Sequence, residues 1–277
     1  MIDPGLKDKV VMITGGNDGI GNALSLAFAE QSAKLVIHHL KISSEENIDN
    51  RNNYINLKVG DRVVNKIRET GGNAQAFEGD ISIDNSIQQL FDAAEAEFGP
   101  VDILINNVKY WEADTFVPSN KKKSRKWTTP SKTISIDNFN NHFFINTRIA
   151  ALTIAEFTNR HIEREANWGR IINISTENAY CYPSEVSYGA SKLALEGYSR
   201  SAATELGQYG ITVNIVSPGI IQTGWLPPAV EKEIAETYPL RSAGYPLDIA
   251  NVIIFLASEQ ARWVTGQTIY VNGGHKM

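Results

Sequence analysis

Tyr188 and Lys192 stand four residues apart in the stretch VSYGASKLALEG, Val186 to Gly197. On a helix, side chains at i and i+4 share a face, so this spacing lets an ammonium approach a phenol. A nearby cation favours phenolate, which draws a tyrosine from its ordinary pKa of about 10 towards the range of a general acid or base. The chemistry on offer is proton transfer to a carbonyl oxygen or from an alcohol. Taken alone, such a pair is commonly an accident of packing, so its weight depends on what else the chain carries.

A second candidate is the turn Thr14-Gly15-Gly16-Asn17-Asp18-Gly19-Ile20-Gly21. A pyrophosphate reaches the backbone N–H groups of a helix N-terminus only where side chains are absent. Gly15, Gly19 and Gly21 give G-x-x-x-G-x-G rather than G-x-G-x-x-G. Gly16 and Gly21 have the separation of a Walker A loop, but Asn22-Ala23 replaces its Lys-Ser/Thr. A plain connecting turn is the simpler reading. Its place, after a first apolar strand and before a first helix, suits a dinucleotide.

The elements that must hold these residues follow from apolar periodicity. Lys9 to Thr14 reads as a buried strand, Asn22 to Gln31 as a helix, and Leu35 to His38 as a second strand. An asparagine-rich stretch then precedes a helix at Asp61 to Glu69. A strand at Ala74 to Glu78, a helix at Asn85 to Phe98 and a strand at Val101 to Ile105 follow. Further helices are expected at about Ile136 to Glu163, Tyr188 to Gly207 and Pro246 to Ala257, with strands at Arg170 to Ile174, Thr212 to Val216 and Thr268 to Val271. Strands alternating with helices imply one doubly wound α/β domain with a parallel sheet. The 277 residues suffice for its core, and no repeat or domain boundary interrupts them.

Composition narrows the function. The single cysteine, Cys181, excludes a disulfide framework or Cys-rich zinc cluster, and no metal site is expected. No apolar run approaches the ~20 residues that cross a bilayer, and the apolar run at the N-terminus is too short for a signal peptide. The expectation is a soluble, cytoplasmic protein. A net charge of −5 argues against a general nucleic-acid binder.

With these features in order, the chain resembles a short-chain dehydrogenase/reductase, with 3-oxoacyl thioester reductases among the members it looks like. The resemblance rests on the Thr14-Gly15-(x)3-Gly19-Ile20-Gly21 turn, Asp80 after the third strand, Asn106-Asn107 after the fourth, Asn146, the NIST strand end, Tyr188-(x)3-Lys192 and Pro218-Gly219. It runs to ARWVTGQTIYVNGG near the C-terminus. It implies a Rossmann-type sheet of about seven strands, a nicotinamide cofactor, and hydride transfer between that cofactor and a ketone or secondary alcohol. In this pattern Tyr188 exchanges the proton, and Lys192 lowers its pKa and holds the nicotinamide ribose. Asn146 anchors a water of the relay, and either Ser175 or Thr176 orients the substrate oxygen. Gly15, Asn17, Asp18, Gly19 and Ile20 lie along the cofactor, with Asp80 and Ile81 near adenine and Asn106, Asn107 and Val108 near the ribose. Pro218, Gly219, Ile221 and Thr223 fall near the nicotinamide. The family commonly forms tetramers, so a homo-oligomer is implied.

The chain also departs from that pattern. Where the family continues Asn-Asn-Ala-Gly, this sequence reads Asn106-Asn107-Val108-Lys109, placing bulk beside the ribose. A carboxylate at the end of the second strand would mark NAD(H), a cation NADP(H). His39 stands there with Lys41 beyond, while Asp18 occupies a position where NADP-preferring members often carry arginine. The balance favours NADP(H) over NAD(H). Two segments exceed the family's usual loops, near 43–60 and 119–134. The second carries Lys121, Lys122, Lys123, Arg125 and Lys126, which reads as a solvated loop or as a docking patch for an acidic partner or anionic substrate. Tyr110, Trp111, Tyr180, Tyr182 and Trp225 fall in segments bordering the substrate site and suggest an apolar pocket. The competing reading is a cofactor-binding regulator that kept the fold and lost turnover.

Overall fold

The computed structural model describes residues 3–40, 59–118 and 131–276. Lys41, the cluster from Lys121 to Lys126 and most of both long segments lie outside them. Seven strands form one parallel sheet: β1 (Val10–Thr14), β2 (Lys34–His39), β3 (Asn73–Glu78), β4 (Ile103–Asn106), β7 (Gly169–Ile174), β8 (Ile211–Pro218) and β9 (Thr268–Val271). Their order is β3-β2-β1-β4-β7-β8-β9, every pairing parallel. Helices α1 (Gly19–Glu30), α2 (Val59–Glu69) and α8 (Pro246–Ala257) supply one apolar layer with Leu24, Phe28, Ile67, Ile249 and Ile253. On the other face, α3 (Ser86–Phe98), α5 (Ile149–Glu163) and α6 (Val186–Leu206) contribute Leu90, Phe91, Phe157 and Leu206. Burial on both faces explains why β1 and β8 are buried at every position instead of alternating. The doubly wound expectation is therefore met.

Three features depart from the expected elements. The helix expected at about Ile136 to Glu163 is α4 (Ile136–Phe143), a π-helical turn at Phe144–Arg148, and α5. A short parallel pair joins β5 (Asp114–Thr115) to β6 (Lys132–Thr133). An additional helix, α7 (Pro228–Thr237), lies between the elements expected at Thr212 to Val216 and Pro246 to Ala257; Pro at the first helical position is compatible with its start.

The chain order reverses between β1 and β4, whose flanking strands depart in opposite directions. In open α/β sheets that switch point opens a crevice at the carboxyl ends of the strands. Register places Thr14 opposite both His38 and Asn106, and Asn106 opposite Asn173, so four polar residues mark that rim.

Candidate active site

At the rim, the turn after β1 is built by backbone contact. Gly15, at φ +64°, directs its N–H towards His38 Nδ1 at 3.4 Å, and Gly16 N–H donates to the His38 carbonyl at 3.0 Å. His38 is buried, and its Nε2 bonds the Gly79 carbonyl at 2.9 Å. A carbonyl only accepts, so Nε2 carries the hydrogen and Nδ1 is free to accept. Burial, as the largest cause, lowers the His38 pKa to about 4, which keeps this acceptor available. Asn107 completes the brace: its amide donates to the Gly15 carbonyl at 2.8 Å, and its N–H to Thr14 Oγ1 at 3.0 Å. A Cβ on Gly21 would lie 2.0 Å from the Gly15 carbonyl oxygen. Asp18 caps α1 by accepting from Gly19 N–H at 2.7 Å, and the space a Cβ on Gly19 would enter is bounded by Thr223, with Cγ2 at 3.3 Å. A glycine-rich helix N-terminus, opposed by Thr223, fits the pyrophosphate of a dinucleotide.

The remaining expected cofactor residues divide. Pro218 ends β8, and Ile221 forms a bridge to Gly244 that closes the following excursion. Ile81 is buried behind the half-exposed end of β3, and Asp80 turns its carboxylate to Ser82 N–H at 2.9 Å. His39 is half-buried at the end of β2, whereas its neighbour His38 faces the turn. Val108 packs against Gly15, where Cγ2 would lie 3.4 Å from a Cβ. The Asn106 side chain is not brought to the cleft: it donates to Asn173 at 2.8 Å and accepts from Thr153 at 2.8 Å. Strand alternation turns it inward and leaves Asn107 at the turn.

Across the crevice, Tyr188 and Lys192 lie in the first turns of α6, both buried. Lys192 Nζ donates to the Ile174 carbonyl at 2.8 Å. Burial, followed by repulsion from the Lys109 ammonium, lowers its pKa to about 7. Burial and then the Glu185 carboxylate raise the Tyr188 phenol above its ordinary range. The expected depression by Lys192 is thus absent from the balance of local forces: the ammonium is engaged by a strand-end carbonyl, and desolvation disfavours phenolate. Asn146 sits in the π-helical turn, where its amide donates to the Tyr110 carbonyl at 3.0 Å and to Ser191 Oγ at 2.9 Å, and its Oδ1 accepts from Tyr110 N–H at 2.7 Å. π-turns recur at functional sites because they re-aim one stretch of backbone.

The two candidate hydroxyls have different surroundings. Ser175 Oγ donates to the buried Glu196 carboxylate at 2.7 Å. Thr176, the next residue, is 9% exposed, and Glu177 beyond it turns to a separate cluster. Tyr182 lies 6.1 Å from Tyr188 between ring centroids and His142 lies 6.2 Å away, with Tyr110 edge-on to His142 at 4.9 Å. Trp111 Nε1 donates to Glu185 at 2.5 Å. Tyr180 and Trp225 are exposed, so the aromatic wall is narrower than the sequence suggests.

Sequence reasoning missed Glu185 and His38, whose signals were only their positions beside Tyr188 and His39. Lys109, a departure visible in the sequence, has its surroundings set by the tertiary structure. Its side chain is exposed, and its charged neighbours are Asp18 on the turn, Glu185 before α6, and Lys192. Loss of water lowers its pKa, and the two carboxylates oppose that shift. No helix among the described residues is long and apolar enough to cross a membrane, and none of their His, Cys, Asp and Glu groups forms a metal-holding cluster.

A family described as enoyl-(acyl carrier protein) reductase matches residues 15–276. A hydroxynaphthalene reductase-like protein of Metarhizium anisopliae is 30% identical over 97% of this chain and 95% of its own. A 7α-hydroxysteroid dehydrogenase, solved with NADH and 7-oxo glycochenodeoxycholic acid, superposes with a TM-score of 0.82 at 28% identity, covering 99% and 96% of the two chains. A blue fluorescent protein from a metagenomic library, solved with NADPH, gives a TM-score of 0.79 at 29% identity, covering 98% of this chain and 99% of that one.

Proposed function

Because the chain belongs to the short-chain dehydrogenase/reductase family, whose members are NAD(P)-dependent oxidoreductases, we propose that it reduces a ketone to a secondary alcohol with NADPH, using Tyr188 as proton donor. The observation that carries this reading is Tyr188 and Lys192 at the start of α6, together with a glycine-rich helix N-terminus after β1 whose Gly21 has no room for a Cβ. A nicotinamide cofactor held in this crevice would supply the hydride. Gly15, Asn17, Asp18, Gly19 and Ile20 line the pyrophosphate path, with Thr223 opposite. Lys192 would hold the nicotinamide ribose.

Tyr188 gives its hydroxyl proton to the carbonyl oxygen as that oxygen gains charge. The phenol carries its proton at neutral pH, as donation in the reductive direction requires, while burial and Glu185 make it a weaker acid than a free tyrosine. Lys192, poised near 7, returns a proton to Tyr188, with Asn146 holding the π-helical turn that leads away from the pair. Thr176 is the substrate-orienting hydroxyl, since Ser175 is committed to Glu196. The aromatic wall of Tyr110, Trp111 and Tyr182 favours a carbonyl on an apolar body. NADP(H) is favoured because no carboxylate ends β2, where His39 is accessible.

Parallel fluorescence titration with NADPH and NADH tests the cofactor assignment, with tighter NADPH binding expected. Tyr188→Phe should then lose ~10²–10⁴-fold in turnover with its NADPH affinity retained. Equal turnover by Tyr188→Phe would remove the tyrosine from the reaction.

A further inference from the structure

Glu177 follows Thr176 and is 5% exposed. Its N–H donates to the Pro218 carbonyl at 3.0 Å, tying the segment after β7 to the end of β8. Its Oε1 accepts from the Tyr238 hydroxyl at 3.2 Å and meets His275 Nδ1 at 3.0 Å. The Tyr238 and His275 rings stack at 4.2 Å between centroids, only 5° from parallel. Glu177 Oε2 is buried without a partner among the described residues and lies against Gly219, where a Cβ would come within 3.3 Å. A buried carboxyl group is tolerated where neighbouring groups hydrogen-bond it, so Tyr238 and His275 are held by the same side chain.

These two partners belong to two different segments, the stretch around α7 and the C-terminal tail. Tyr238 caps the C-terminus of α7, whose Val230 and Ile234 form with Leu226, Tyr238 and Ala243 a small cluster apart from the two layers on the sheet. His275 belongs to the C-terminal tail, which accepts Leu240 N–H at the Gly273 carbonyl at 3.2 Å and rests Gly274 on Pro239. The excursion carrying α7 leaves β8 at Pro218 and returns through the Ile221–Gly244 bridge, so it overhangs the carboxyl end of the sheet. Thr223 within it already faces the glycine turn.

We propose that Glu177 is a positioning residue that clasps the α7 cap and the C-terminal tail, through Tyr238 and His275, onto the strand end presenting Thr176, and thereby sets substrate affinity. It does not touch the reacting atoms. The cap's role in substrate binding rests on the oxidoreductase reading above; the clasp itself does not.

The test uses the full chain with His275→Ala and His275→Asn, the latter restoring an N–H donor. Hydrogen exchange followed by mass spectrometry reads the clasp without turnover. For His275→Ala, exchange in 222–245 should accelerate about tenfold while α1, β1 and the NADPH Kd hold, because local opening is governed by local contacts. His275→Asn should recover most of that protection. With ethyl acetoacetate as probe, KM should rise about tenfold in His275→Ala and kcat should change less than about threefold, as for loss of uniform binding. Unchanged exchange in 222–245, or acceleration shared by α1 and β1, overturns the clasp. Faster exchange with an unmoved KM refutes the link to substrate. If the wild type leaves ethyl acetoacetate untouched, the exchange arm still decides the clasp.

Discussion

The glycine turn and the Tyr188 region face each other across one crevice, and they are built from different physics. At the turn, specificity is steric and backbone-borne: Gly21 leaves no room for a methyl group, and His38 and Asn107 hold main-chain groups in place. Across the crevice, burial and charge decide, with Lys192 near 7 and the Tyr188 phenol raised. One side fails when shape changes. The other fails when charge changes.

The most damaging change on the steric side is Gly21→Ala, expected to weaken NADPH binding ~100-fold or more, since overpacking against backbone cannot be relieved by a rotamer. Fluorescence titration checks this, and near-normal affinity would sink the steric account of the turn. On the opposite side, Thr176→Val should cost ~10- to 100-fold in kcat by removing a hydrogen bond to the developing oxyanion. Ser175→Ala should cost chiefly stability, about 1–2 kcal/mol, by leaving Glu196 short of a donor. A larger kcat loss in Ser175→Ala than in Thr176→Val would reverse the assignment of the hydroxyl.

His38 is where the steric side becomes pH-sensitive. Its folded pKa of about 4 lies below the unfolded value of 6.5, so the unfolded chain binds more protons between those limits. Stability is therefore full above pH 6.5 and declines through the window to about pH 4, by ~3 kcal/mol in all. Thermal melts across this range should show the decline, and His38→Asn should flatten it. The smallest effect concerns Lys109. Reductive kcat/KM should fall as pH rises through about 7, where Lys192 loses its proton. Lys109→Ala removes a repelling charge, so this limb should move to higher pH, with less than about a threefold change in kcat/KM at pH 6. A limb moving to lower pH would contradict the charge arrangement of the crevice.

Legibility in the sequence followed the range of the interactions. Continuous apolar runs such as VVMIT and ITVNIV read correctly as strands covered on both faces, because burial on two sides requires them. The glycine turn was legible for a local reason, since Gly15 and Gly21 approach each other within one short stretch of chain. The π-helical turn at Phe144–Arg148 was not, since FINTR continues a helical pattern and Asn146 gains its two partners from Tyr110 and α6. His39 attracted notice at the end of β2, yet His38 braces the turn; adjacent strand residues face opposite ways, and only the neighbouring elements reveal which face matters.

By itself, the sequence determined the doubly wound fold, the steric cradle after β1 and the shared helix face of Tyr188 and Lys192, because each depends on contacts a few residues apart or on apolar periodicity. Tertiary structure alone decided that Ser175 is spent on Glu196, that Lys109 presses on Lys192, and that Glu177 gathers Tyr238 and His275. Those outcomes depend on burial and on charges brought together from distant parts of the chain, where the cost of desolvation sets which protonation state and which partner prevail.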